Sequence, residues 1–214
     1  MIRTWVANIE PLMEDACYKK YYFQAPSFRQ KKADVLNHPK KKAQSIGVWS
    51  VYAQMKDYYG FDQKATFNFS HSENYVLCSV CVKEEIDPSI RVGCDLEWID
   101  PRRKDPSKMA KHFFCPVEYE TILQEKEEAS RRELFYRYWV LKESFLKATG
   151  KGMALPLDSF EVALGEPSYL VRQPEEFPER YIYMESTLDQ GKYRVAVCST
   201  DEELESEIHE IQLR

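Results

Sequence analysis

The chain is 214 residues long, 43% apolar and 14% aromatic, with a formal net charge of −5 at pH 7. This length suits one large or two small domains around a sizeable core, and the apolar content excludes a disordered chain. The acidic balance speaks against a nucleic-acid partner; no apolar run nears the roughly 18–20 residues of a membrane helix, and MIRTWVANIE lacks a signal peptide's apolar stretch, so a soluble cytoplasmic protein with no membrane partner is expected.

MIRTWVANI reads as an opening strand, followed by helices over about 26–36 and 40–58 that the Asn37-His38-Pro39 break separates. Within them, RQKKADVLNHPKKK (Arg29 to Lys42) carries six Lys or Arg against one Asp. This is either an anion-attracting patch or a solvated Lys-rich face, and by itself the stretch does not choose. Strands are expected over 65–69 and 75–82, joined by a polar turn, Ser70-His71-Ser72-Glu73-Asn74. A His between two Ser offers hydroxyls, an imidazole and backbone N–H groups to a phosphate oxygen. A Ser-His-Asp hydrolase is the weaker reading, because adjacent residues of an extended chain point to opposite faces and no GxSxG elbow is present. A structural His remains the competitor. Cys78 and Cys81 stand three apart in an expected buried strand, where they face opposite ways, so they suit reduced thiols better than metal ligands.

A third strand is expected over 91–99. In RVGCDLEWID, Val92, Cys94, Leu96 and Trp98 alternate to one face, which puts Asp95 and Glu97 together on the other. Two such acids either sit in solvent or share a hard divalent cation that removes their repulsion. Helices follow at about 106–113, 116–126 and 130–149. In the last, Tyr138, Leu141, Phe145 and Ala148 form the core-facing stripe, while Trp139, Glu143 and Lys147 lie opposite with Lys142 at the margin. An ordinary Glu–Lys pair explains part of that face, but a solvated face rarely holds a Trp. Gly150 and Gly152 end the helix and Pro156 prevents its restart. Strands are expected over 157–163, 180–186 and 193–199, and the tail DEELESEIHE reads as a solvated terminus. The two halves, divided as 1–89 and 90–214, share a helices-then-strands rhythm without a residue-level repeat. Glu143 is a natural third oxygen ligand beside Asp95 and Glu97 for Mg²⁺. With the basic N-terminal stretch, these features describe a polyphosphate site.

FNFSHS, GCDLE, FFCPVEY and WVLKESFLKATGKGMALPLDSF, in this order over about residues 67–162, resemble the signature blocks of the 4′-phosphopantetheinyl transferase superfamily, of the longer type that activates surfactin synthetase. The resemblance implies an α+β fold of two similar halves forming a pseudo-dimer, each with a small antiparallel sheet packed on helices, and coenzyme A and Mg²⁺ in the cleft between them. It assigns Asp95, Glu97 and Glu143 to the metal, and Ser70, His71, Lys142 and Lys147, with Asp95, to coenzyme A. Arg29 and Lys32 match its two N-terminal cations for the nucleotide 3′-phosphate, and Glu118 matches a candidate base. Gln44 departs from the pattern, standing where many relatives have Arg; Lys40 or Lys41 would supply that charge, and Lys41 is taken into the phosphate grip. The implied reaction transfers phosphopantetheine to a carrier-protein Ser and releases adenosine 3′,5′-bisphosphate. Lys147 would offset charge on the leaving phosphate, Glu118 or Glu143 would accept the Ser proton, and Trp139 would pack beside the site. Residues from both halves build the site, so an active monomer is expected. A metal-dependent phosphohydrolase and a non-catalytic coenzyme-A-binding module stay open as alternatives.

Overall fold

A computed structural model of the chain describes residues 1–83, 85–102 and 106–214. The first half contains β1 (Ile2–Asn8), α1 (Asp15–Gln24), α2 (Ser27–Asp34), α3 (Pro39–Tyr59), β2 (Phe67–Ser72) and β3 (Tyr75–Cys81). The second contains β4 (Val92–Trp98), α4 (Ser107–Phe113), α5 (Pro116–Gln124), α6 (Glu128–Thr149), β5 (Glu161–Ala163), β6 (Tyr169–Arg172), β7 (Ile182–Leu188), β8 (Tyr193–Ser199) and β9 (Leu204–Gln212).

The expected repetition exists at the level of topology. A strand, a long helix and a hairpin (β1, α3, β2–β3) form a sheet in the order β2-β3-β1, and β4, α6 and β7–β8 repeat this as β7-β8-β4. Both sets pair antiparallel. The result is an α+β fold in four layers. Strand alternation sends Trp5, Ala7, Val76, Cys78 and Val80 toward α3, and Ile2, Val6, Leu77 and Cys81 toward the second sheet. There they meet Val92, Cys94, Leu96, Val195 and Val197, and the far side of that sheet packs Ala196 and Cys198 on Leu141, Phe145 and Ala148 of α6. Cys78 and Cys81 accordingly lie in different layers, both as free thiols.

Three local expectations are revised. Ser70, His71 and Ser72 belong to β2, and the turn is shortened to Glu73-Asn74, with Glu73 in the left-handed region at φ 46°. Leu157–Ser159 is a turn of 3₁₀ helix, so strand begins only at Glu161. The acidic tail is β9, which adds parallel to β1 at the edge of the first sheet. Residues 204–212 therefore hydrogen-bond with the first half although they fall in the second by sequence. Elements α1 and β6 had no counterpart in the sequence reading. Among the described residues, no helix is long and apolar enough to cross a membrane.

Candidate active site

Strand β4 and helix α6 lie against each other because Gly93 has no side chain. A Cβ there would sit 2.0 Å from the Ser144 carbonyl oxygen and 2.3 Å from the Ala148 nitrogen. This approach brings Asp95 and Glu97, next along the same strand face, beside Glu143 and Lys147 on α6. Together with Phe69, Ser70 and His71 of β2 and Trp139 of α6, they line a cleft of about 430 Å³ between the halves. Trp139 backs the cleft and packs on Phe113, Phe114 and Phe135.

The Lys147 ammonium donates to Asp95 Oδ1 at 2.7 Å and to Ser70 Oγ and the Cys94 carbonyl at 3.0 Å each. Asp95 is 4% exposed, and its Oδ2 is buried with no hydrogen-bond partner among the described residues. Burial, then repulsion from Asp95, pushes the Glu97 carboxyl up to about 7, against the opposing pull of Ser72 and Lys147. Burial and Asp95 likewise raise Glu143. Burial works against the charge on Lys147, but Asp95, Cys94 and Glu143 together outweigh it and hold the ammonium above its ordinary value. His71 is shifted down, by burial first and then by Lys147, against a backbone hydrogen bond that pulls it up.

A second cleft of about 430 Å³ continues past Phe69 and His71, which line both, and is walled by Arg29, Lys32, Lys41, Gln44 and Ser45. Arg29 is 8% exposed, with its guanidinium 5.1 Å from the Trp49 ring and 5.7 Å from the Phe69 ring. Its Nε and the Ser45 hydroxyl are buried with no partner among the described residues. A buried guanidinium without a matching anion is costly, so the pair marks a place for an anionic ligand. Lys40 is held by Glu73 at 2.7 Å, and the Gln44 amide donates to the Glu73 carbonyl at 2.9 Å, which leaves Lys41 as the member of the 40–42 run that faces the cleft.

Two expected site residues lie elsewhere. Lys142 and Glu118 are 0% and 1% exposed, bonded to each other at 2.6 Å, and line neither cleft. Lys142 also donates to the Phe160 carbonyl, and Glu118 accepts from the Cys115 and Val162 amides. The pair ties α5 and α6 to β5. The remaining expected residues, Arg29, Lys32, Lys41, Ser70, His71, Asp95, Glu97, Glu143 and Lys147, all line one of the two clefts. Ser72, whose hydroxyl the sequence suggests for a phosphate, instead donates to Glu97 Oε2 at 2.9 Å; Phe69 and Ser45 line the clefts without being expected there, and for Phe69 the alternation of residues 69–72 in a strand is the available signal.

Among the described residues, no three His, Cys, Asp or Glu side chains form a closed metal-binding set. The donor chemistry nevertheless suits a hard divalent cation: an Asp95 oxygen, buried and unpartnered among the described residues, stands beside two carboxyls whose pKa values burial and then repulsion from Asp95 have raised.

The family model for the 4′-phosphopantetheinyl transferase superfamily matches residues 91–198, half of the chain. The chain is 37% identical over 135 residues to a Bacillus subtilis 4′-phosphopantetheinyl transferase, covering 62% of this chain and 54% of that protein. It is 42% identical over 110 residues to 4′-phosphopantetheinyl transferase HetI of a Nostoc species, covering 50% and 43%. Against 4′-phosphopantetheinyl transferase Sfp of Bacillus subtilis the figures are 34% over 145 residues, 67% and 59%. The match thus spans about half the length of these relatives. A solved Thermotoga maritima holo-[acyl-carrier-protein] synthase superposes at a TM-score of 0.42, with 24% identity over 51% of this chain and 61% of that one.

Proposed function

The chain belongs to the 4′-phosphopantetheinyl transferase superfamily, and from that premise we propose that it transfers the phosphopantetheine arm of coenzyme A to a Ser hydroxyl of an acyl or peptidyl carrier protein, with release of adenosine 3′,5′-bisphosphate. The observation that carries the reading is the continuous pair of clefts, basic then acidic, joined at Phe69 and His71. A nucleotide with a separate 3′-phosphate and a pyrophosphate needs both kinds of wall.

In this reading Arg29, Lys32 and Lys41, with His71 at the junction, hold the 3′-phosphate, and Ser70 and Lys147 meet the pyrophosphate. Asp95, Glu97 and Glu143 would hold Mg²⁺, whose chemistry when bound is to neutralise charge on the phosphate oxygens. Lys147 stabilises the negative charge that grows on the departing adenosine bisphosphate. The incoming Ser proton goes to Glu143, because every described contact of Glu118 is spent on Lys142 and two amides inside the core. The nucleotide side falls to residues 1–89 and the metal side to 90–214, as in the two-half type that activates surfactin synthetase, and the topological repeat supports that type.

The test is incubation with an apo carrier protein, coenzyme A and MgCl₂ in a cytoplasm-like buffer, with and without EDTA. The carrier is expected to gain one phosphopantetheine by intact mass, only without EDTA. Phosphopantetheine released free, with the carrier unchanged, would make the protein a phosphohydrolase instead.

A further inference from the structure

Strands β2 and β4 are the facing edges of two different sheets, and their backbones do not pair. Every second residue of β2 instead offers a side-chain oxygen to every second amide of β4. The Cys94 N–H donates to Asn68 Oδ1 at 3.1 Å, the Leu96 N–H to Ser70 Oγ at 3.2 Å and the Trp98 N–H to Ser72 Oγ at 3.0 Å. Both strands advance about 6.7 Å per two residues, so the three contacts stay in step. They satisfy edge amides that would otherwise be orphaned between the layers.

The seam also decides where the two hydroxyl protons go. A Ser hydroxyl has one proton to give, and an N–H donor already occupies a lone pair of each. Ser70 gives its proton to Asp95 Oδ1 at 3.0 Å, and Ser72 gives its own to Glu97 Oε2 at 2.9 Å. Asp95 has Lys147 as a second anchor, whereas among the described residues Glu97 has no ion pair and Ser72 is the one donor that reaches it. Asn68 joins the same seam without touching either carboxylate.

We propose that Ser72 is a positioning residue, which fixes the Glu97 carboxylate for metal binding by anchoring it to the seam between the two sheets. The inference rests on the phosphopantetheinyl transfer reading and on Asp95, Glu97 and Glu143 as the cation's ligands. Ser72 acts through Glu97 and touches no substrate.

The test measures Mn²⁺ affinity of the full chain by electron paramagnetic resonance, alongside thermal melting. Ser72→Ala is expected to weaken Mn²⁺ binding about ten-fold or more, the usual effect of removing a hydrogen-bond partner of a metal ligand, and Ser72→Thr to restore it. Asn68→Ala is expected to lower the melting temperature and leave Mn²⁺ affinity within about two-fold, since no carboxylate loses a partner. If Ser72→Ala does not fold, Ser72→Cys, with similar volume and only a weak donor, is expected to lose affinity in the same direction. Equal Mn²⁺ affinity in folded Ser72 variants and the unaltered protein would reduce Ser72 to a seam contact and leave the metal reading standing. Absence of Mn²⁺ binding in the unaltered protein would overturn the metal reading, and this inference with it.

Discussion

The guanidinium of Arg29 lies over two aromatic rings that touch edge to face, with its Nε unpartnered among the described residues, beside a likewise unpartnered Ser45 hydroxyl. If a phosphate is what these groups await, coenzyme A should bind more tightly than its 3′-dephosphorylated form. Arg29→Ala should cost about ten-fold or more in coenzyme A affinity by calorimetry and remove most of the preference. Equal affinities for the two nucleotides in the unaltered protein would detach this cleft from a 3′-phosphate. Glu97 supplies a second residue-scale prediction. Its carboxyl titrates at 4.5 ordinarily and at about 7 in the fold, so the native state holds that proton more tightly. The stabilisation is complete below about pH 4.5 and is lost as pH rises through 7. In EDTA, the unfolding free energy of the unaltered protein should therefore fall relative to Glu97→Gln across that window, by on the order of 3 kcal/mol. Urea titrations at several pH values measure the difference, and a gap that stays constant with pH contradicts the assigned environment.

At the scale of the element, β4 and α6 form the unit on which the acidic cleft is built. Gly93 lets their backbones meet, so Gly93→Ala must push the helix away or break the strand, at a cost of about 3 kcal/mol or more. Urea unfolding should register that loss, and coenzyme A binding should weaken with it; a variant of unchanged stability would mean that α6 has room to retreat. These two elements were also the most legible in the sequence. The alternation in RVGCDLEWID and the 3.6-residue stripe of the last helix each divide a core face from a site face, so ordinary periodicity located Asp95, Glu97, Glu143 and Lys147. Lys142 stands at the margin of the α6 stripe and Glu118 is assigned by the family resemblance alone; that the two pair in the core is not legible in either segment, because the partner of one lies on α6 and of the other on α5. Strand β9 was hidden for another reason. Between the pairs Ile2–Leu204 and Thr4–Ile208 its register slips, so its half-buried residues do not alternate cleanly with the exposed ones, among which Glu207 and Glu210 stand out.

For the whole molecule, each cleft wall comes from a different half, and one chain supplies both. Light scattering should find an active monomer, and calorimetry one coenzyme A per chain; one ligand per two chains would mean that the site is completed between molecules. The parallel pairing of β1 with β9 reaches further than the site. Ile2 finds its partner Leu204 some two hundred residues later, so the ribosome releases the first strand long before its neighbour exists. At about 5–20 residues per second, that edge waits at least about ten seconds, open to any extended peptide that can pair with it. The repeated strand–helix–hairpin units can form as they emerge, but the first sheet gains β9 only some two hundred residues after its first strand.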